Sequence, residues 1–261
     1  MPAPGITERL ELAREAAAEA GRGTLRWFQH PDLTADIKGD GSPVTRADRE
    51  AEDLIRRRIG QAFPNDGVIG EEFGSTVGTS GFTWVLDPID GTKSFVRGIP
   101  TYANLVAVLH DERAVVGVAN FPALDELVFA ASDLGATWER PGNSRPARVS
   151  AQASLGHALV EIVSPASFMR EQNWATYERF VRQTARLRGW NDAYAFALAA
   201  TGRVEAAVDS GIKIWDIAAF QVIMPEAGGR MTDWKGRDTL ATDRVILTNG
   251  LLHDQVLSAL G

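Results

Sequence analysis

Trp84-Val85-Leu86-Asp87-Pro88-Ile89-Asp90-Gly91-Thr92 starts as an apolar strand and ends in two carboxylates, a turn and a hydroxyl. Proline between the acids fixes φ and stiffens the bend, so Asp87 and Asp90 can converge on one point. Gly91 and Thr92 read as the opening of a helix whose backbone N–H groups face an anion. Two more acidic motifs sit beside turns or element ends. Gly70-Glu71-Glu72 follows the short apolar run Val68-Ile69, and Ile214-Trp215-Asp216 opens another apolar segment. Oxygen ligands of this kind suit a hard divalent cation such as Mg²⁺, which keeps water and phosphate oxygens in its shell. Each motif alone is ordinary, because Asp-Pro and Asp-Gly are turn dipeptides and an acid before a helix is commonly a cap. Together they point to metal-assisted attack of water on a phosphate ester.

Outward from that stretch, apolar spacing predicts the elements. Thr7 to about Phe28 is Ala- and Glu-rich with helical periodicity, and 37–43 is a breaker-rich loop. Thr45 caps a second helix, with Asp48 in the capping-box position. Val68-Ile69-Gly70 reads as a short strand that delivers Glu71 and Glu72. Phe82 to Leu86, Leu105 to Leu109, Ala114 to Phe121 and Leu127 to Ala131 are strands, and a hairpin turns around Pro141-Gly142-Asn143. Helices are expected over 173–184, 192–201, 216–227 and 252–260, with strands over 204–208 and 245–247. Helices, then antiparallel strands, then alternating α and β describe a layered α/β fold with two sheets.

The 261 residues are 44% hydrophobic and 23% charged, enough for a sizeable core. A net charge of −7 argues against a general nucleic-acid binder, which would carry a basic surface. The chain has no cysteine, so disulfides and thiol chemistry are excluded. Four scattered histidines lack the spacing of a zinc protease, and neither a nucleophile elbow nor a P-loop occurs. No apolar run reaches the roughly 18 residues of a membrane span. The N-terminus leads directly into a charged helical pattern, so a cytoplasmic protein is expected.

The three acidic motifs, together with Glu226-Ala227-Gly228-Gly229 after Trp215-Asp216, resemble the inositol monophosphatase family of Mg²⁺-dependent phosphatases. The resemblance runs from about Val44 to the C-terminus. It implies a five-layered αβαβα sandwich as one phosphatase domain over 1–261, with an α+β half to about residue 150 and an α/β half from about 151. It also implies a homodimer acting on a small phosphorylated metabolite. Two or three Mg²⁺ ions are implied, with Mn²⁺ as a substitute. By resemblance Glu71, Asp87 and the Ile89 carbonyl hold one metal, and Asp87, Asp90 and Asp216 hold a second. Thr92 and Glu72 orient the attacking water. Asp48 both caps its helix and supports that water, and Gly91 and Thr92 receive the phosphate. Lys38 lies in the loop that closes near the site in the family, although by itself it reads as a solvated loop lysine.

The second half departs from the inositol-binding pattern. Arg186-Leu187-Arg188-Gly189-Trp190-Asn191-Asp192 replaces the usual Gly-Thr-Ala, and Asp209 stands where those enzymes carry Glu. An aromatic ring and acids suit a cationic, flat substrate better than a polyol. This pattern is similar to the histidinol-phosphate phosphatases of the superfamily, and it assigns substrate contacts to Trp190, Asp192, Asp209 and Asp216. The alternatives are an inositol-1-phosphatase or broad sugar phosphatase, a nucleotidase with little room for adenine around 73–82, and a non-catalytic partner of transcription machinery. The simplest competing reading makes Asp192 a helix cap and Asp209 a strand end.

Overall fold

The computed structural model describes residues 5–170, 174–189 and 192–261; Trp190, expected at the substrate site, lies outside them. The Ala-rich N-terminal stretch forms α1 (Ile6–Leu25), which buries Leu12, Ala13, Ala16, Ala17 and Ala20 along one side. The breaker-rich loop expected over 37–43 is the turn of a short antiparallel hairpin, with its end residues in β1 (Ala35–Ile37) and β2 (Pro43–Thr45). It leads into α2 (Arg46–Ala62), whose capping box is formed by Thr45 and Asp48 as expected.

The first large sheet is built from β3 (Gly67–Gly70), β4 (Gly74–Thr76), β5 (Phe82–Asp90), β6 (Ala103–His110), β7 (Arg113–Phe121), β8 (Glu126–Ala131), β9 (Gly135–Arg140) and β10 (Asn143–Pro146). The order is β10-β9-β8-β7-β6-β5-β3-β4, and a one-turn helix, α3 (Thr92–Val96), follows β5. The second half supplies β11 (Leu159–Ile162), α4 (Pro165–Arg170), α5 (Trp174–Gln183), β12 (Arg186–Arg188), α6 (Ala193–Ala200), β13 (Ala206–Ser210), α7 (Ile214–Glu226), β14 (Arg230–Thr232), β15 (Arg244–Thr248) and α8 (His253–Leu260). Its sheet runs β12-β11-β13-β15-β14.

Strand alternation builds the layers, because neighbouring side chains point to opposite faces. On β5 and β6, Trp84, Leu86, Val106 and Val108 pack under α1 and α2. Val85, Leu105 and Ala107 face the other way, onto α6 and α7. In the second sheet Ala207, Val245 and Leu247 meet that same helical layer, whereas Val160, Val208 and Ile246 pack beneath α4, α5 and α8. The result is helix, sheet, helix, sheet, helix, the five layers expected. The central helices touch a sheet on each side. Helix α7 is accordingly apolar around most of its circumference, and α6 is five alanines with Tyr194, Phe196 and Leu198.

Two packing details set tolerances. Gly117 on β7 lies so close to α7 that a Cβ there would sit 2.1 Å from the Ala219 carbonyl oxygen and 2.9 Å from Val222 Cγ1. His253 is fully buried, with Nε2 2.8 Å from Thr232 Oγ1 and Nδ1 3.0 Å from Thr248 Oγ1. Burial, helped by the charge of Arg230, lowers its pKa to about 4.

Both details are testable. Gly117→Ala is expected to destabilise the fold by about 1–3 kcal/mol, since the methyl must push backbone rather than a flexible side chain. An unchanged urea midpoint would remove that contact as a constraint. For His253 the folded pKa lies below the unfolded value near 6.5, so its contribution is complete above that value. It is lost as pH falls from there to about 4, and amounts to about 3 kcal/mol. Ring NMR signals are expected to titrate near pH 4; a midpoint near 6.5 would refute this.

Candidate active site

The site forms where β5 stops being regular. The β5–β6 register shifts between Asp87 and Asp90, so Pro88 and Ile89 bulge out of the ladder. Proline has no N–H to lose there, and bulges re-aim side chains. Asn104 fixes the bulge by donating Nδ2 to the Pro88 carbonyl at 2.6 Å. Asn120 Nδ2 in turn donates to Asn104 Oδ1 at 3.0 Å and to the Ala17 carbonyl of α1 at 3.0 Å. Beyond the bulge Gly91 adopts φ 77°, in the left-handed region. A Cβ on it would also meet Asp192 Oδ2 at 2.7 Å and displace that carboxylate.

Asp87, Asp90 and Asp216 converge, each offering an oxygen within 4.8 Å of the others. Asp90 Oδ2 accepts the Ala193 N–H at 2.8 Å, and Asp216 Oδ2 accepts the Lys213 N–H at 2.7 Å at the start of α7. One carboxylate oxygen of each is thereby anchored to a helix start. Asp87 Oδ1 is buried with no hydrogen-bond partner among the described residues. Burial, followed by the charges of Glu71, Asp90 and Asp216, pushes the Asp87 carboxyl well up. Burial and the Asp192 and Asp216 charges do the same to Asp90. Asp216 rises to about 6, again mainly through burial. Buried polar atoms are normally satisfied, so an all-oxygen, charge-rich cluster with an orphaned carboxylate oxygen fits a hard cation.

Glu71 and Glu72 come from the turn between β3 and β4. That turn is shaped by Glu52 of α2, a residue sequence reading passed over. Glu52 is fully buried; it accepts the Glu72 N–H at 2.7 Å and the Phe73 N–H at 3.2 Å and is paired with Arg56. Its carboxylate lies against Gly70, where a Cβ would come within 2.0 Å of Oε1. Lys38 is not a solvated loop lysine: its Nζ bridges Glu71 Oε1 at 2.8 Å and Glu72 Oε1 at 2.6 Å. Burial opposes the Lys38 charge, but the two glutamates together raise its pKa. Burial raises Glu72 to about 7, with Glu71 adding and Lys38 opposing.

Thr92 Oγ1 lies 3.2 Å from Asp48 Oδ1 and 3.0 Å from the Ile89 carbonyl. Its single proton serves one of these acceptors at a time. Asp48 is doubly occupied: Oδ2 takes the Thr45 N–H and hydroxyl at 2.8 and 2.6 Å, leaving Oδ1 for Thr92. The cap and site roles therefore coexist in one carboxylate.

A cavity of about 470 Å³ adjoins these groups and is lined by Glu71, Asp87, Asp90, Gly91, Thr92, Lys93, Asp192, Asp209 and Asp216, with Val163, Phe196 and Ile212 as apolar wall. Asp192 is not the helix cap of the simpler reading. Although it precedes α6, its side chain makes no capping bond; it accepts Ser94 Oγ at 3.4 Å and faces the cavity. Its backbone, at φ 56° and ψ −148°, lies in a region that only glycine enters freely. Asp209 lies within β13, one residue short of its end; one oxygen accepts its neighbour's N–H, from Ser210, at 2.8 Å. Burial pushes both acids upward. Gly91 and Thr92 do open a helix, α3, which has only five residues.

Comparison with known proteins agrees with this geometry. The model of the inositol monophosphatase family matches residues 6–261. The protein named histidinol-phosphatase in Mycobacterium tuberculosis is 40% identical over 96% of this chain and 97% of its own. That of Chlorobaculum parvum is 37% identical over 98% of both. Among solved structures, the extragenic suppressor protein suhB from Bartonella henselae superposes with a TM-score of 0.90 at 29% identity, over 97% of this chain and 98% of that one. With the acidic cluster, the five layers and the full-length match in agreement, the chain belongs to the inositol monophosphatase family and is a phosphoric monoester hydrolase.

Proposed function

We propose that this enzyme is an Mg²⁺-dependent histidinol-phosphate phosphatase. The observation that carries the substrate is the pair Asp192 and Asp209, which line the same cavity as the carboxylate cluster. A phosphate monoester bound at the cluster would extend its other end between them. Histidinol phosphate presents there a cationic amine and an imidazole that can carry a proton, both complementary to carboxylates. An inositol ring offers only neutral hydroxyls. The full-length similarity to proteins named histidinol-phosphatase supports the same choice.

In this reading Glu71, Asp87 and the Ile89 carbonyl would hold one Mg²⁺, and Asp87, Asp90 and Asp216 a second. Bound metals would acidify the attacking water and steady the leaving oxygen. The protein's own groups do the rest. Thr92, donating to Asp48, is left with lone pairs to accept a hydrogen bond from the water and fix its orientation. Glu72, whose carboxyl pKa is raised by burial, would take the water's proton as general base. The water oxygen bonds to phosphorus as the ester P–O bond breaks; the departing alkoxide takes a proton from solvent to give histidinol, and Glu72 releases to solvent the proton it took.

Two experiments test these assignments. Phosphate release with Mg²⁺ is expected to favour histidinol phosphate over inositol-1-phosphate by at least about a hundredfold in kcat/KM. Asp192→Asn should raise KM for histidinol phosphate roughly tenfold while barely changing p-nitrophenyl phosphate turnover. A wild-type preference for inositol-1-phosphate, or equal losses on both esters, would overturn the substrate assignment. For the metal, Asp90→Asn is expected to lower kcat by about a hundredfold or more. The same change should raise the Tm of the chelated protein, because it removes one of the mutually repelling acids. A variant that keeps most of its activity, or loses Tm after chelation, would refute Asp90 as a ligand.

A further inference from the structure

Helix α6 has an unusual task and few means of performing it. Its first turn delivers the Ala193 N–H to Asp90 Oδ2 and sets Asp192 against the cavity. Five of its eight residues are alanine, so packing knobs are limited to Tyr194, edge-on to Phe121, Phe196, edge-on to Phe220, and Leu198. Polar ties at the two ends of the helix add to that packing in fixing it along its axis.

We propose that Arg203 is a positioning residue that supplies these ties. Arg203 follows α6 and does not line the cavity. Its guanidinium grips the carboxylate of Glu126 on β8, a side chain with no exposed surface. From that anchor Nη1 donates to Tyr194 Oη at 3.2 Å, in the first turn of α6. Nε donates to Thr201 Oγ1 at 2.8 Å, at the helix C-cap, and Thr201 itself donates to the Ala197 carbonyl at 2.6 Å. The guanidinium carbon lies over the Trp138 ring on β9, 4.5 Å from its centroid. A planar fork with five fixed donors can hold both ends of one helix; a lysine cannot. Arg203 thus ties α6 to the first sheet and holds Ala193 in register with Asp90. The inference rests on Asp90 as a metal ligand, and outer partners of ligands typically change metal affinity by tens of fold.

The test is calorimetric Mg²⁺ titration of the chelated full-length protein, well below its Tm, for wild type, Arg203→Met, Tyr194→Phe and Arg145→Met. Arg203→Met is expected to weaken Mg²⁺ binding roughly tenfold and Tyr194→Phe about threefold. Arg145, whose guanidinium carbon lies 4.2 Å from the same Trp138 ring centroid, makes no hydrogen bond to α6 among the described residues, so Arg145→Met should bind like wild type. If Arg203→Met leaves Glu126 stranded and fails to fold, Tyr194→Phe decides, because it keeps the Glu126–Arg203 pair intact. Wild-type Mg²⁺ affinity in folded Tyr194→Phe, or equal weakening in Arg145→Met, would overturn the positioning role. Absence of Mg²⁺ binding by wild type would instead overturn the metal reading of Asp90.

Discussion

Burial of carboxylates that also repel one another is the constraint on which this structure turns. Two unit charges 4.8 Å apart repel by about 3 kcal/mol at an effective dielectric near 20. Asp87, Asp90 and Asp216 meet within that distance, and Glu71 adds to the field on each of them. Hydrogen bonds from Ala193 and Lys213 offset part of this, but typical net values near 1–3 kcal/mol cannot neutralise the cluster. An all-oxygen cluster of this kind is one that a hard cation could neutralise.

Much of the surrounding fold serves to hold acids where they would not otherwise stay. Asn104 and Asn120 tie the Pro88 bulge back to α1. Glu52 shapes the turn that presents Glu71 and Glu72. The capping box of α2 orients Asp48, and the first turn of α7 orients Asp216. The site draws on residues from both sheets and from the helices between them. Its precision therefore depends on the close contacts of the middle layer, such as that between Gly117 and α7.

Residues whose chemistry is local were legible in the sequence. The spacing of Asp87, Pro88 and Asp90 announced a stiff bend with two acids, and Thr45 with Asp48 announced a helix start. The helical and long antiparallel segments showed their periods, and their order suggested two sheets. The five layers came from family resemblance and are now visible in the packing. Three-residue strands such as β4, β12 and β14 are too short to show a period, and β11 is interrupted by the buried Glu161. Glu52 looked like any helical glutamate, because its partners lie 20 and 21 residues away. Lys38 looked solvated for the same reason: Glu71 and Glu72 are remote in sequence and meet it only through the β1–β2 hairpin. Asp192 reads as a substrate contact with a helix cap as the competing reading; the absent capping bond, the Ser94 contact, the strained backbone and the adjoining cavity separate the two roles.

The most direct measurement is an anomalous difference map from crystals of the full chain grown with Mn²⁺. Carboxylate repulsion relieved by metal requires peaks at bonding distance from Asp87, shared with Glu71 on one side and with Asp90 and Asp216 on the other. A map with no peak among these four carboxylates, or with ions only at surface acids, would contradict a metal centre at this site.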